Sequence, residues 1–176
     1  MFEKLIDLII SLWTRLSPAK IIKVFESGAV LRLGKYHRTV LPGLAWKWPV
    51  IEDIFEINAV LTTLRLPPQT LTTLDDVGVV VAAIVKYWIV DAEAYVTKIW
   101  DQNDVLADTT LGAIAEVVKN SNYHELLRGD PSKKVIEAVR REVNEYGFRI
   151  KRITFTDFGK VRSFRLIQQV AKDLDN

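Results

Sequence analysis

The sequence predicts an α+β fold in which a strand-rich first half precedes a helix-rich second half. Residues 21–74 hold short apolar segments separated by Gly and Pro, a pattern typical of antiparallel strands. Residues 91–147 instead repeat apolar residues at helical spacing. With 176 residues and a hydrophobic fraction of 49%, the chain is long enough to bury a core and has the size of one domain or two small ones.

The first strands are predicted to form a β meander. Residues 21–25 (IIKVF) and 29–33 (AVLRL) are strand candidates that turn at Ser27-Gly28, and Gly34 and Pro42-Gly43 mark the next turns. Further strands are expected at residues 51–66 and 70–74, with a break at Pro67-Pro68.

Residues 77–90 are the most apolar segment of the chain, with only Gly78 and Lys86 outside the hydrophobic set. This segment is too short for a transmembrane helix and is rich in valine. It therefore predicts a buried central strand.

Three helices are predicted after this strand. Asp91 is a suitable N-cap for a short helix that runs to Trp100, and a second helix begins near Asp104. For the third helix, Asp130-Pro131 supplies the N-cap and the first turn, and Gly147 ends it.

The last predicted strand changes phase. Phe148 and Ile150 share one parity, whereas Ile153 and Phe155 share the other, which predicts a β-bulge or a change of sheet near Lys151-Arg152. Residues 159–176 then return to helical spacing and are expected to begin a C-terminal helix.

Residues 1–20 are predicted to form an amphipathic membrane-anchor helix. On a helical wheel, the apolar residues of positions 1–16 fill one continuous arc. This helix would be about 24 Å long, shorter than a ~30 Å hydrocarbon core, so it is not expected to span a bilayer. Asp7 lies inside the apolar segment and argues against a signal peptide. Two interpretations remain open: the helix lies in the membrane plane, or it packs on a partner or on this protein's own core.

Basic charge is concentrated directly after this helix. The chain carries a net charge of +2, but residues 17–50 hold six basic residues and one acidic residue. Such a segment is typical of a surface held close to anionic lipid, although a solvated face explains it as well. The segment Trp46-Lys47-Trp48 is consistent with membrane insertion and with core packing. The residues expected to contact the membrane are Phe2, Leu5, Ile6, Ile9, Leu12, Trp13, Leu16, Lys20, Lys23, Trp46, Lys47 and Trp48.

Catalytic and metal-binding chemistry is not expected. The chain has no cysteine, which excludes disulfides, thiolate metal sites and a cysteine nucleophile. Its two histidines, His37 and His124, lie in no catalytic or metal-ligand motif. We therefore expect no enzymatic activity, no metal and no cofactor.

A second group of basic residues lies in the last third of the chain. Glutamates are interspersed among them, and Arg141 has Glu137 and Glu145 four residues away on either side. This spacing favours ion pairs within a helix and between subunits over nucleic-acid binding. The expected oligomer contacts are Arg140, Arg141, Glu145, Arg149, Arg152, Arg162 and Arg165.

Three stretches of the chain resemble the SPFH superfamily, also called band 7, which includes stomatins, prohibitins and flotillins. They are residues 24–58, 70–96 and 111–158. Their specificity lies in their order: a glycine-ended strand, the LPG turn, an apolar strand that leads into an aspartate-started helix, the ELL segment, and the YG stop before a final strand. The resemblance is closest to stomatin- and prohibitin-like members.

This resemblance implies an SPFH domain with a β-rich, membrane-proximal subdomain over residues 21–75 and an α/β subdomain over residues 76–158. It also implies self-assembly into rings or cages that organise membrane microdomains and regulate membrane proteases or channels. The expected protein is thus a non-enzymatic homo-oligomeric scaffold on the cytoplasmic face of a membrane, bound to anionic lipid. The alternative is a soluble docking module or oligomeric adaptor whose N-terminal helix binds a partner protein.

Overall fold

The computed structural model describes residues 6–7 and 18–161 of the chain. Ile6 and Asp7 are helical. The remainder of the predicted N-terminal helix and the predicted helix over residues 162–176 lie outside the described residues. Within them, the strand-rich half precedes the helix-rich half, which confirms the α+β class.

The first half builds two small antiparallel sheets. Their strands are β1 (Ala19–Ile22), β2 (Glu26–Arg32), β3 (Lys35–Val40), β4 (Gly43–Trp46) and β5 (Glu52–Asn58). A two-stranded ribbon pairs β1 with β4, and a three-stranded sheet has the order β3-β2-β5. Ile22, Val30, Ala45 and Ile54 form a small core between these sheets.

The predicted turn at Ser27-Gly28 is wrong, because both residues lie inside β2. The chain turns earlier, where the Glu26 amide donates to the Lys23 carbonyl over 3.0 Å. A Cβ at Gly28 would lie 2.6 Å from Val40 Cγ2 and 2.9 Å from Ile54 Cγ2. Glycine is therefore required here by the close approach of side chains from β3 and β5.

The turn at Gly34 is confirmed, but the meander does not continue beyond β3. Leu33 and Gly34 have φ values of 50° and 78°, as a two-residue type I′ hairpin requires. After Pro42 the chain leaves this sheet, and β4 pairs with β1 instead of β3.

The second half is a sheet covered by helices on one face. The strands of this sheet are β6 (Thr62–Arg65), β7 (Gln69–Thr72), β8 (Gly78–Ile89) and β9 (Phe148–Lys160). Strand β8 is central, as predicted: β6 and β7 pair with one of its edges in succession, and β9 pairs along the other. The segment predicted as one strand over residues 51–66 is divided between β5 and β6.

Four helices lie between β8 and β9, one more than the sequence predicted there. They are α1 (Ala92–Thr97), α2 (Gln102–Lys119), α3 (Tyr123–Arg128) and α4 (Pro131–Val143), and a 3-10 turn at Asn144–Tyr146 follows α4. The Asp91 N-cap is confirmed, since its carboxylate accepts from the Ala94 amide over 3.1 Å. Helix α2 begins earlier than predicted, because Asp101 caps it by accepting from the Asp104 amide. The short helix α3 covers the ELL segment and was missed.

The core lies between β8 and the helices. Along β8, every second residue is buried, including Val79, Val81 and Val85, and these side chains join apolar residues of α2 and α4 in one cluster. The intervening residues of β8 are only half-buried. Among the described elements, the helices thus cover one face of this sheet and leave the other face open.

The predicted β-bulge is confirmed. Arg152 lies opposite Lys86 and Ile150 lies opposite Tyr87, so Lys151 is the extra residue in β9. The extra residue keeps apolar side chains on the core face of β9 on both sides of the bulge, because Ile150 and Ile153 are both buried although they differ in parity. A second irregularity between Ala82 and Ala83 lets Thr156 bulge in the same way.

Gly147 joins the end of the helical segment to the start of α1. It has a φ of 83°, and a Cβ there would overlap the carbonyl oxygen of Asp91. The Val90 amide donates to the Gly147 carbonyl over 2.9 Å. Both the left-handed conformation and the close backbone approach require glycine.

We expect Gly147→Ala to lower the free energy of unfolding by at least about 2 kcal/mol, because the new Cβ meets backbone in a left-handed conformation. Gly112→Ala is the matched control. Gly112 lies within α2, and a Cβ added there would have no other atom within 4 Å, so alanine should raise stability by about 0.5–1 kcal/mol. Urea unfolding of both variants measures the difference, and equal effects would contradict the stated role of Gly147.

Candidate membrane-contact surface

One face of the β1–β4 ribbon is apolar and exposed. Ile21 lies opposite Leu44 in the ladder, and Trp46 lies opposite Ala19, so these side chains share a face. Ile21 is 74% exposed, Leu44 76% and Trp46 61%. The alternate residues Ile22 and Ala45 point into the small core. The ribbon therefore buries one apolar face and presents another to the surroundings.

Apolar exposure continues after β4. Trp48 is 59% exposed and Val50 is 90% exposed. The core-packing interpretation of the two tryptophans is thus wrong. We call the five residues Ile21, Leu44, Trp46, Trp48 and Val50 the tryptophan surface. Three of these side chains share one face of the ribbon and two follow it in sequence, and exposed apolar side chains so arranged mark a candidate site of interaction with a membrane or a partner.

Val50 is also held in an unfavourable backbone conformation. Its φ is 75°, a region that β-branched residues rarely adopt. Glycine or asparagine would adopt it at lower energy. Val50 is thus an exposed apolar residue in a backbone conformation that is unfavourable for valine.

The buried carboxylate of Glu52 holds the chain that carries the tryptophans. Glu52 Oε2 accepts from the Trp48 amide over 3.0 Å. Glu52 Oε1 accepts from Arg32 Nη2 over 2.7 Å and from Arg32 Nε over 2.9 Å. Arg38 Nη1 lies 3.4 Å from the same oxygen, and Arg38 Nη2 donates to the Trp46 carbonyl. One side chain thus joins β2, β3, β5 and the segment after β4.

The surroundings of Glu52 favour its ionised form. The hydrogen bond from the Trp48 amide, followed by those from Arg32 and the positive charge of Arg38, holds the pKa of Glu52 below its ordinary value, although burial opposes this shift. Glu52 is therefore charged at neutral pH. Its bonds to the loop are charge-assisted, which makes them stronger than neutral ones.

Much of the basic excess of residues 17–50 is neutralised within the first half of the chain. Lys20 pairs with Glu56 at 3.0 Å, and Lys23 lies 3.4 Å from Glu26. Arg32 and Arg38 share Glu52. Lys47 is in none of the ion pairs formed by the described residues. The basic character of this segment is thus largely structural, and its apolar side chains are the more distinctive exposed feature.

The predicted oligomer contacts lie on α4, on the 3-10 turn and on β9. Arg140 Nη2 donates to the Ile150 carbonyl over 2.9 Å. Glu145 lies in the 3-10 turn after α4. Within the described part of the chain, Arg141 forms no ion pair with Glu137 or Glu145, so the predicted intra-helix pairing is wrong.

Other predicted site residues lie apart from this surface or outside the described residues. Arg149 and Arg152 are exposed on β9. Those outside the described residues are Phe2, Leu5, Ile9, Leu12, Trp13, Leu16, Arg162 and Arg165.

Sequence reasoning missed Ile21, Leu44, Val50 and Glu52. Strand alternation could have identified Ile21 and Leu44. Each is adjacent in its strand to a buried residue, Ile22 or Ala45, and therefore faces the opposite side. Glu52 carries none, since a single glutamate in an apolar segment does not identify the two arginines that enclose it.

A family model decides the relationship of this chain to known proteins. The model described as "SPFH domain / Band 7 family" matches residues 20–174. The chain belongs to this family. The SPFH match includes the β1–β4 ribbon, Glu52 and the helix-covered sheet, so the tryptophan surface is part of the family domain.

Individual relatives are archaeal and bacterial. An uncharacterised protein of Archaeoglobus fulgidus is 25% identical over 162 residues, which are 91% of this SPFH chain and 65% of the relative. Protein HflK of Vibrio cholerae is 36% identical over 103 residues, 58% of this chain and 26% of the relative. The Escherichia coli protein named "Modulator of FtsH protease HflK" is 27% identical over 126 residues, 68% of this chain and 30% of the relative. The chain spans less than a third of the HflK proteins.

Among the described residues, the longest helices are those of the helix-covered sheet, and none has the length and apolar character needed to cross a bilayer.

We expect Glu52→Gln to destabilise the protein at pH 7, because an amide loses the charge-assisted bonds to Arg32 and Arg38. A carboxylate whose pKa is lowered by folding stabilises the protein fully above its ordinary pKa of about 4.3 and loses this contribution as the pH falls through the folded-state value. The stabilities of the wild type and the variant should therefore converge as the pH falls from the ordinary pKa of a glutamate through the lower folded-state pKa of Glu52.

Glu56→Gln is the matched control, since it removes only the half-exposed ion pair to Lys20 and should change stability by about 0–1 kcal/mol. Urea unfolding followed by tryptophan fluorescence, at pH 7 and at an acid pH below the ordinary pKa of a glutamate, measures these effects. A gap between Glu52→Gln and wild type that does not depend on pH would exclude the ionised Glu52 as its source.

Proposed function

We propose that this protein is a membrane-associated regulatory scaffold whose tryptophan surface contacts lipid. The observation that supports this proposal is the exposure of five large apolar side chains, three on the β1–β4 ribbon and two in the following segment, which Glu52 holds in place. Tryptophan is enriched at the membrane–water interface, where its ring meets the acyl boundary and its N–H meets the headgroups. In this proposal, the predicted amphipathic helix of residues 1–16 adds a second contact.

The expected strength of this contact favours a peripheral, multivalent association. If five side chains each realise about a third of ~1.5 kcal/mol, the surface contributes roughly 2.5 kcal/mol. One copy would then bind more weakly than millimolar. Several copies assembled on one membrane multiply the effect through effective concentration. We therefore propose a homo-oligomer, as the SPFH resemblance implies, and we separately propose that it lies on the cytoplasmic face of the membrane.

The regulatory part of the proposal comes from the relatives. One HflK protein is named a modulator of the FtsH protease. We propose that the client of this chain is also a membrane protein, with a protease as the first candidate and a channel as the second. In this proposal the chain itself has no catalytic task.

We expect Trp46→Glu/Trp48→Glu to reduce flotation with liposomes, because carboxylates at these positions oppose burial in the acyl boundary. Flotation of the full chain with vesicles of neutral and of anionic lipid measures the effect. The matched control is Leu74→Glu/Trp100→Glu, which changes two exposed apolar residues of the second half and should leave flotation unchanged. Wild-type protein that fails to float at every lipid composition would favour the soluble docking module instead.

A further inference from the structure

The uncovered face of the second sheet carries a cluster of positive charge. Lys86 lies opposite Arg152, and Trp88 lies opposite Arg149. On the neighbouring strand, Arg65 lies opposite Ile84. Because Val85 and Tyr87 point to the core, these residues all point to the open face. We call Arg65, Lys86, Arg149 and Arg152 the cationic sheet face.

The cationic sheet face brings like charges together. Lys86 and Arg152 are directly opposite each other, where like charges destabilise a sheet. Within the described residues, none of the four cations forms an ion pair. Asp157, the acidic strand residue on this face, lies opposite Ala82, about 13 Å along β8 from Lys86. The repulsion between Lys86 and Arg152 would be relieved by an anionic group supplied from outside.

The opposite side of the same domain carries an acidic stripe on α2. Asp104, Asp108 and Glu116 are exposed. Each lies two residues before a buried residue of α2, which is Leu106, Thr110 or Val118. Two residues correspond to about 200° around a helix, so the stripe points away from the core. None of these three carboxylates is in an ion pair with another described residue.

We propose that the cationic sheet face of one copy docks on the α2 acidic stripe of a second copy. This inference rests on the self-assembly included in the proposed function and specifies the two faces that meet. The faces match in sign, and the shorter one fits within the longer: the stripe from Asp104 to Glu116 is about 18 Å long along α2. The part of β8 from Ile84, opposite Arg65, to Trp88, opposite Arg149, is about 13 Å long. Half-buried Trp88 supplies an aromatic anchor among the cations.

The placement of the faces determines the geometry of the assembly. The sheet and the helices form two layers, so the two charged faces lie on opposite sides of the domain. Such a contact is heterologous: each copy uses its sheet face towards one neighbour and its helix face towards the next. Repeated contacts of this type form a ring if the rotation closes. A second copy fits better than nucleic acid because this chain itself supplies the complementary carboxylates.

A charge-swap experiment tests this contact. The sheet variant Lys86→Glu/Arg152→Glu carries acidic groups on both faces, and the helix variant Asp108→Lys/Glu116→Lys carries basic groups on both. Each alone should associate at least about tenfold more weakly than wild type, because like charges meet. An equimolar mixture should associate again, since the sheet face of each variant then meets the helix face of the other.

Sedimentation velocity of the full chain measures association. Wild-type assemblies should dissociate between ~0.1 M and ~1 M salt, as the Debye length falls from ~10 Å to ~3 Å. The control Lys35→Glu/Lys98→Glu makes the same change of charge at exposed positions elsewhere and should associate like wild type. Monomeric wild type at low salt, a single variant that assembles like wild type, or a mixture that stays monomeric would each overturn the contact.

Liposome flotation of the same samples separates this inference from the membrane contact. If wild type floats but the charge-swap mixture does not assemble, the lipid contact is supported and the docking contact is excluded. If the proteins assemble in the charge-swap pattern but wild type does not float, the docking contact is supported and the lipid contact is excluded.

Discussion

The first half of the molecule depends on one buried carboxylate. Glu52 lies where β2, β3 and β5 meet the segment after β4, and its two oxygens accept from two arginines and one backbone amide. A buried charge is tolerated only when it is paired and hydrogen-bonded. The same bonds that satisfy Glu52 fix Trp48 and, through Arg38, the Trp46 carbonyl. The exposed tryptophans are therefore held by polar chemistry inside the domain, while their own rings contribute little to its core.

The sequence predicted the elements with strong local signals. Asp91 and Pro131 mark helix starts and Gly147 marks the end of the helical segment, whereas Asp130 stands at the N-cap position without a side-chain capping bond. The change of parity between Ile150 and Ile153 identifies the bulge. Gly28 misled the prediction because a glycine needed for close packing and one needed for a turn are identical in sequence.

The candidate site was only partly predictable. The segment Trp46-Lys47-Trp48 fits membrane contact and core packing equally well in the sequence, because the exposure of its tryptophans depends on which strand pairs with β4. In the sequence, Arg32 and Arg38 are part of a basic segment typical of surface charge, whereas in the structure they enclose Glu52. Pairing between distant segments determines both features, and a single sequence does not specify such pairing.

The two irregularities in β9 affect how this domain can meet another chain. Within the described residues, β9 pairs with β8 alone, so a long strand has its second backbone edge free. A regular free edge is a template on which a strand from another molecule adds by backbone hydrogen bonds. The extra residues Lys151 and Thr156 interrupt the even spacing of amide and carbonyl groups that such addition needs. The free edge of β9 is therefore a poor template for strand addition, so contacts of this edge with another chain depend on side chains rather than on backbone hydrogen bonds.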